Sequence, residues 1–296
     1  MSTRLYQAVS GFFLQDDSTD PSAIGALPPR FGLIDDSPQR WKLLQSKIRQ
    51  MNETDSSLAV SYKVIIFGRH GQGWHNVGEA KYGTKAWDEY WSKLDGDGEI
   101  TWGPDPELTP LGEEQARSVT DAWRAEIPFS IPIPKRSARI CSPMTRALNT
   151  YLLTFAFENG MDGLGENNNP VILENCREEY GEHTCDKRRT KTYLKEIFSN
   201  FDIKGGISVD EGVFKEFSEN DELWQADHRE TKTHVMARAK AVLDHIFSSE
   251  EMENQDFISI TAHGGIINGF LNAMGRESYA LPTGGVIPVV VKSTVV

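Results

Sequence analysis

Cysteine is scarce in this 296-residue chain. There are three, Cys141, Cys176 and Cys185, and no pair has zinc-type spacing. That excludes a disulfide framework and a zinc-finger scaffold, and a reducing compartment, the cytosol or the nucleus, is expected. Long apolar runs are missing, so no membrane-spanning helix is expected. The first residues, MSTRLYQAVSGFFLQDDSTD, turn acidic before an apolar core can form, which argues against a signal peptide. The glycosylation sequon at Asn52-Glu53-Thr54 is discounted for the same reason. Positive charge is also short: 31 Lys and Arg face 43 Asp and Glu, a net charge of −12. Nucleic-acid backbones and anionic membranes are thereby excluded as main partners. An anionic substrate would have to be met locally, by a few converging cations. No internal repeat is present, and composition leaves monomer and homodimer equally open.

Within those bounds, residues 61–296 read as one α/β domain and residues 1–60 as an N-terminal extension packing on its core. Prolines and acidic residues scattered over 16–37 suit a surface loop. Pro38–Met51 is expected to be a helix, with Trp41, Leu44, Ile48 and Met51 on one stripe. Val64-Ile65-Ile66-Phe67 is a buried strand closed by glycine. Gly68 and Gly71 flank Arg69-His70, where the backbone needs conformations or space that a Cβ would deny. Val77–Leu94 is expected to be helical, with Trp87, Tyr90, Trp91 and Leu94 packing inward. Asp95-Gly96-Asp97-Gly98 is a turn, and its glycines do not fit a calcium loop. Thr109 and Pro110 mark a helix start, with Glu113 and Glu114 at its positive end, running to about Glu126.

A second strand, Ala138–Cys141, stops at Ser142-Pro143, a further helix start that carries Arg146 in its first turn. Dipole logic disfavours a cation there unless it serves a bound anion. Asn159–Asn169 is a Gly/Asn-rich loop. Val171–Leu173 is a third strand, followed by Arg177-Glu178-Glu179. Residues 182–222 read as a polar, lid-like insertion. His228–Phe247 is a long helix, Phe257–Ala262 a buried strand, Ile266–Met274 a helix, and Gly284–Val291 a last strand whose Pro288 suggests an edge or bulge. Alternating strands and helices predict a three-layer fold: a mainly parallel central sheet with helices on both faces. Arg69/His70, Arg146, Glu178/Glu179 and His263 then fall after strands, on the edge where open α/β sheets bind ligands.

Two arginine forks suit the non-bridging oxygens of a phosphoryl group. A histidine among arginines is a poor metal ligand set, because the cations repel. A neutral imidazole can instead attack phosphorus, a carboxylic acid can protonate the leaving alkoxide, and a second, cationic histidine can bind a phosphoryl oxygen.

Arg69-His70-Gly71, Ser142–Ala147, Arg177-Glu178 and His263-Gly264-Gly265 resemble the four signatures of the histidine phosphatase superfamily, of phosphoglycerate mutase-like fold. Leu108–Gly112 matches it too, and the phrases RHGQGWHN, CDKRR and DELWQADHRET resemble the fungal phosphomutase-like branch. The resemblance covers roughly residues 60–296. It implies His70 as the phosphorylated nucleophile, Arg69, Arg146 and His263 as the phosphate pocket, and no cofactor or metal. The acid is Glu178 or Glu179; the family pattern places it directly after Arg177, which selects Glu178. Asn76, Gln72 and Gly264 are implied as substrate-binding positions, and Lys187, Arg188 and Arg189 as a basic patch at the substrate. His75 is expected to be a hydrogen-bonded loop residue, and His183, His228, His234 and His245 structural or surface groups. A phosphomonoester phosphatase acting on a small phosphorylated substrate is the expected activity. A mutase is the alternative, and an inactive binding module is disfavoured because every catalytic position carries a competent residue.

Overall fold

The computed structural model describes residues 3–17, 21–55, 59–155, 170–198 and 201–296. The loop expected at Asn159–Asn169 lies outside them. Among the described residues eight strands form one sheet. They are β1 (Arg4–Val9), β2 (Val60–Arg69), β3 (Arg139–Cys141), β4 (Val171–Leu173), β5 (Asp202–Ile207), β6 (Phe214–Lys215), β7 (Phe257–Ala262) and β8 (Val286–Val295), in the order β1-β8-β2-β7-β3-β4-β5-β6. The middle strands β2, β7, β3, β4 and β5 are parallel, while β8, β1 and β6 join antiparallel.

Helices cover both faces, and β2 shows why. Its side chains alternate between faces with period 2. Ile65 and Phe67 pack with α7 (Lys232–Ser248) and α9 (Gly264–Ala273), whereas Val64 and Ile66 pack with α1 (Arg40–Asp55), α4 (Pro110–Glu126) and α5 (Thr145–Phe155). A strand buried on both sides must read as a continuous apolar run, and this one does. The expected mainly parallel, three-layer α/β fold is the observed one. Among the described residues no helix is long and apolar enough to cross a membrane.

Several expectations are corrected. Residues 1–60 do more than pack on the core: β1 is a strand of the central sheet, and Trp41, Leu44 and Ile48 of α1 are fully inside. A buried ion pair, Arg40 to Glu126 at 2.7 Å, and a bond from Trp41 Nε1 to the same carboxylate fix α1 to α4. Part of the stretch read as a lid is sheet, since β5 pairs parallel with β4. Its sequence, DIKGGI, holds two glycines and too few apolar residues to signal a strand. Val77–Leu94 is not one helix: α2 (Trp74–Tyr82) and α3 (Thr84–Glu89) are separated at Gly83, whose φ of +79° leaves the helical region. Trp87 is buried against Trp102, but Tyr90 is exposed. Pro288 lies in an interior strand, yet β1 stops pairing at Val9 and Val290, so on that flank the proline opposes no ladder partner.

Candidate active site

The parallel strands β2, β7, β3 and β4 end on one edge, and each delivers one part of the site. Arg69 closes β2 in register with Ala262 of β7, so His70 and His263 leave neighbouring strands side by side. Their ring centroids are 5.0 Å apart. The loop after β4 carries Glu178 over the N-terminus of α9, where Gly265 N–H donates to Glu178 Oε2 at 3.0 Å and Glu179 N–H donates to Oε1 at 3.0 Å.

His70 is 1% exposed, His263 0% and Arg146 1%. The Nδ1 of His70 lies 2.7 Å from the Gly71 carbonyl oxygen. A carbonyl only accepts, so Nδ1 carries the proton and Nε2 keeps its lone pair. Burial first, then Arg146 and Arg69, push the His70 pKa well below its ordinary value. The His70 ring is therefore neutral and in one tautomer. His263 behaves alike: burial, Arg146 and the neighbouring imidazoles hold its pKa well down. The cation expected at His263 is thus not what the free protein holds. Its Nε2 is paired with Ser142 Oγ at 2.7 Å. Ser142 was expected to cap a helix; α5 instead begins at Thr145, and the hydroxyl orients the second histidine.

Arg146 donates from Nη1 to the Cys185 carbonyl at 2.8 Å and from Nη2 to Asp186 at 2.9 Å. Asp105, fully buried with its pKa pushed up by burial to about 6, accepts from Thr145 N and Oγ1 and stands 3.9 Å behind Arg146. Arg69 Nη1 donates to the Leu281 carbonyl at 2.7 Å. Among the described residues four buried nitrogens lack a hydrogen-bond partner here: Arg69 Nε, Arg146 Nε, His75 Nδ1 and His263 Nδ1. The two guanidinium Nε–H groups are obligate donors, and left buried and unpaired beside His70 they suit an anion.

The two carboxylates separate cleanly. Glu179 is ion-paired with Lys232. Glu178 has its pKa raised by burial and by the Asp186 charge, against the Gly265 N–H. Arg177 is no ligand but a buried strut, bonded to Glu174, Asp221 and the Asp186 carbonyl.

Other expected positions are redirected. Gln72 Oε1 accepts from Thr109 Oγ1 at 2.8 Å, and Asn76 Oδ1 accepts from Gly73 N–H at 3.0 Å, so both side chains brace the loop. Arg188 is buried and donates to Glu174, Ser218 and the Arg189 and Asn220 carbonyls, which removes it from any substrate. Lys187 is exposed over Trp224. Arg189 borders a cavity of about 360 Å³ shared with Trp74, Asp105 and Glu107. Gly264 starts α9, and a Cβ there would only touch the Arg69 guanidinium, at 3.5 Å.

Two contributors were not singled out from sequence: Asp186 and Arg229, which form an ion pair at 2.9 Å behind Arg146. Their only sequence signal was position within CDKRR and DHRET. His75, expected to be a hydrogen-bonded loop residue, instead lies in α2, with its ring 5.4 Å from that of His70 and, among the described residues, no partner for its Nδ1. His183, Cys185 and Asp186 bring potential metal-ligand atoms within 4.8 Å of one another. Both Asp186 oxygens already accept from arginines, and burial raises the Cys185 thiol pKa, so this trio is poorly matched to a cation.

The glycines sort into two kinds of necessity. Neither Gly68 nor Gly71 has positive φ, so the expected conformational role is absent. Gly71 is needed for close approach, since a Cβ would meet the Gly112 carbonyl oxygen at 2.1 Å. At Gly265 a Cβ would meet Glu178 Oε1 at 2.1 Å, the end of a flexible side chain. Gly265→Ala should therefore fold, while losing about 10- to 100-fold in kcat/KM through the displaced carboxyl. Thermal melting beside steady-state kinetics checks this; full activity would mean that Glu178 need not sit there.

No family model matches the chain. Curated relatives do. A probable phosphoglycerate mutase of Arthroderma benhamiae is 39% identical, covering 97% of this chain and 84% of its own. A probable phosphoglycerate mutase of Saccharomyces cerevisiae is 35% identical over 78% of this chain and 79% of its own. Phosphomutase-like protein 3 of Candida albicans is 30% identical over 97% and 79%. Such identity over most of the chain, with four motifs on one edge of a parallel sheet, establishes that the chain belongs to the phosphoglycerate mutase-like proteins of the histidine phosphatase superfamily.

Proposed function

We propose that the chain is a metal-independent phosphomonoester phosphatase working through phosphohistidine at His70. The observation that carries this reading is the Nδ1–H bond to Gly71, which supports a neutral Nε2 nucleophile. Nε2 attacks phosphorus, the bond from phosphorus to the leaving oxygen breaks, and Glu178 gives that oxygen its proton. Water then attacks the phosphohistidine, Glu178 takes a proton back, and phosphate and His70 are released. Arg69 and Arg146 offset the phosphoryl charge. An arriving dianion attracts a proton to His263 and offsets the burial and the Arg146 charge that hold it neutral, so His263 gains its proton on binding.

The mutase reading draws on one observation, the near-complete burial of His70 and His263, as a site that excludes water needs. Hydrolysis is favoured by the fate of the basic patch. A mutase of three-carbon acids needs cations for a carboxylate and a second phosphate. Arg188 is consumed structurally, Lys187 rests on Trp224, and Arg189 shares its cavity with Asp105 and Glu107.

The protein should release phosphate from phosphate monoesters, and from 3-phosphoglycerate plus bisphosphoglycerate should give free phosphate faster than the 2-isomer. Isomerisation much faster than phosphate release would replace this reading with the mutase.

A further inference from the structure

We propose that Asp186 is a positioning residue for the phosphoryl site, fixing Arg146 to Arg229 and to the loop that carries Glu178. This rests on the phosphohistidine reading. Three arginines meet at this one buried residue: Arg146 Nη2 donates to its Oδ1 at 2.9 Å, Arg229 Nη1 to its Oδ2 at 2.9 Å, and Arg177 Nη2 to its carbonyl at 2.8 Å. Cys185, its neighbour, accepts from the remaining Arg146 Nη1. An Arg146 held on both Nη atoms loses its rotamer freedom before substrate arrives, and only Nε is without a partner. Such preorganisation raises affinity for a phosphoryl group without touching it. The same carboxylate faces Glu178. The charged and titratable groups that act on Glu178 are Asp186, Glu179 and the Cys185 thiol, which favour its protonated form, and Arg69 and Arg229, which oppose it, with Arg238 on its carbonyl. Asp186 therefore also keeps Glu178 protonated to higher pH.

The test compares Asp186→Asn and Arg229→Gln with the wild-type protein on an alkyl phosphate monoester, whose leaving oxygen needs the proton of Glu178, with pH profiles, orthovanadate binding and melting curves. Asp186→Asn should weaken vanadate and lower kcat/KM by about 10- to 100-fold, the scale of a misplaced site group. It should move the basic limb of kcat/KM to lower pH, because Glu178 loses a raising charge. Arg229→Gln should move that limb to higher pH, because Glu178 loses a lowering charge. A merely structural ion pair would send both variants the same way. If Asp186→Asn does not fold, the Arg229→Gln limb still decides. Unchanged limbs, limbs shifting in one direction, or wild-type vanadate affinity in Asp186→Asn would overturn the proposal. A wild-type protein without turnover or phosphoenzyme would instead overturn the phosphohistidine reading on which it rests.

Discussion

Replacing His70 by Ala should lower kcat/KM by about 10⁴-fold or more, roughly 5.5 kcal/mol of transition-state stabilisation. The size follows from covalency: without the imidazole no phosphoenzyme can form, and water must attack phosphorus directly. Two guanidiniums would remain to bind the phosphate, so KM should change far less than kcat. Among the described residues the side chain bonds only its own neighbour's carbonyl, through Nδ1. Its removal should therefore leave β2 and its ladder intact, which a melting curve checks. Wild-type protein quenched in alkaline denaturant after mixing with a labelled phosphate ester should carry base-stable, acid-labile label, and the Ala variant none. Undiminished activity in that variant would sink the mechanism.

The second large effect is at Glu178. Glu178→Gln keeps shape but removes the proton donor, with an expected loss of about 10²- to 10⁴-fold. The loss should be greatest for alkyl phosphates and smallest for p-nitrophenyl phosphate, whose leaving group needs little protonation. pH adds a sign. The Glu178 pKa is raised, so the acid is present below that pKa and activity is lost as pH rises through it. The His70 pKa is depressed well below its ordinary value, so the nucleophile stays neutral until pH falls through that lower value. A bell results, and Glu178→Gln should abolish its basic limb alone. A retained basic limb would assign the acid elsewhere.

The sites most legible in the sequence were those whose chemistry is local. Arg69 ends a strand and His70, Arg146, Glu178 and His263 each follow one, and a parallel sheet brings strand ends together whatever the loops between them do. Val64–Phe67 announced a strand buried on both faces because nothing else explains such a run. Glu178 over Glu179 needed the family pattern first, and then the Lys232 pair to support it.

What stayed hidden depends on partners far away in the chain. Arg188 looked like a substrate cation because it stands in a basic triplet; its bonds to Glu174, Ser218 and Asn220 are made by folding. Gln72 and Asn76 were implied as ligands by the family resemblance, and only the approach of α4 and the start of α2 turned them inward. β1 and β5 carry too weak an apolar alternation to be read alone, and gain their strand from the edges of a sheet already formed.

The sequence by itself determined the layered α/β plan and the strand ends that carry the site, because periodicity and strand-end motifs are written in consecutive residues. Tertiary structure alone decided that His70 and His263 are held neutral and that Asp186 holds Arg146. Each is a matter of burial and of charges brought within a few ångströms across more than thirty residues of chain, and no local pattern encodes them.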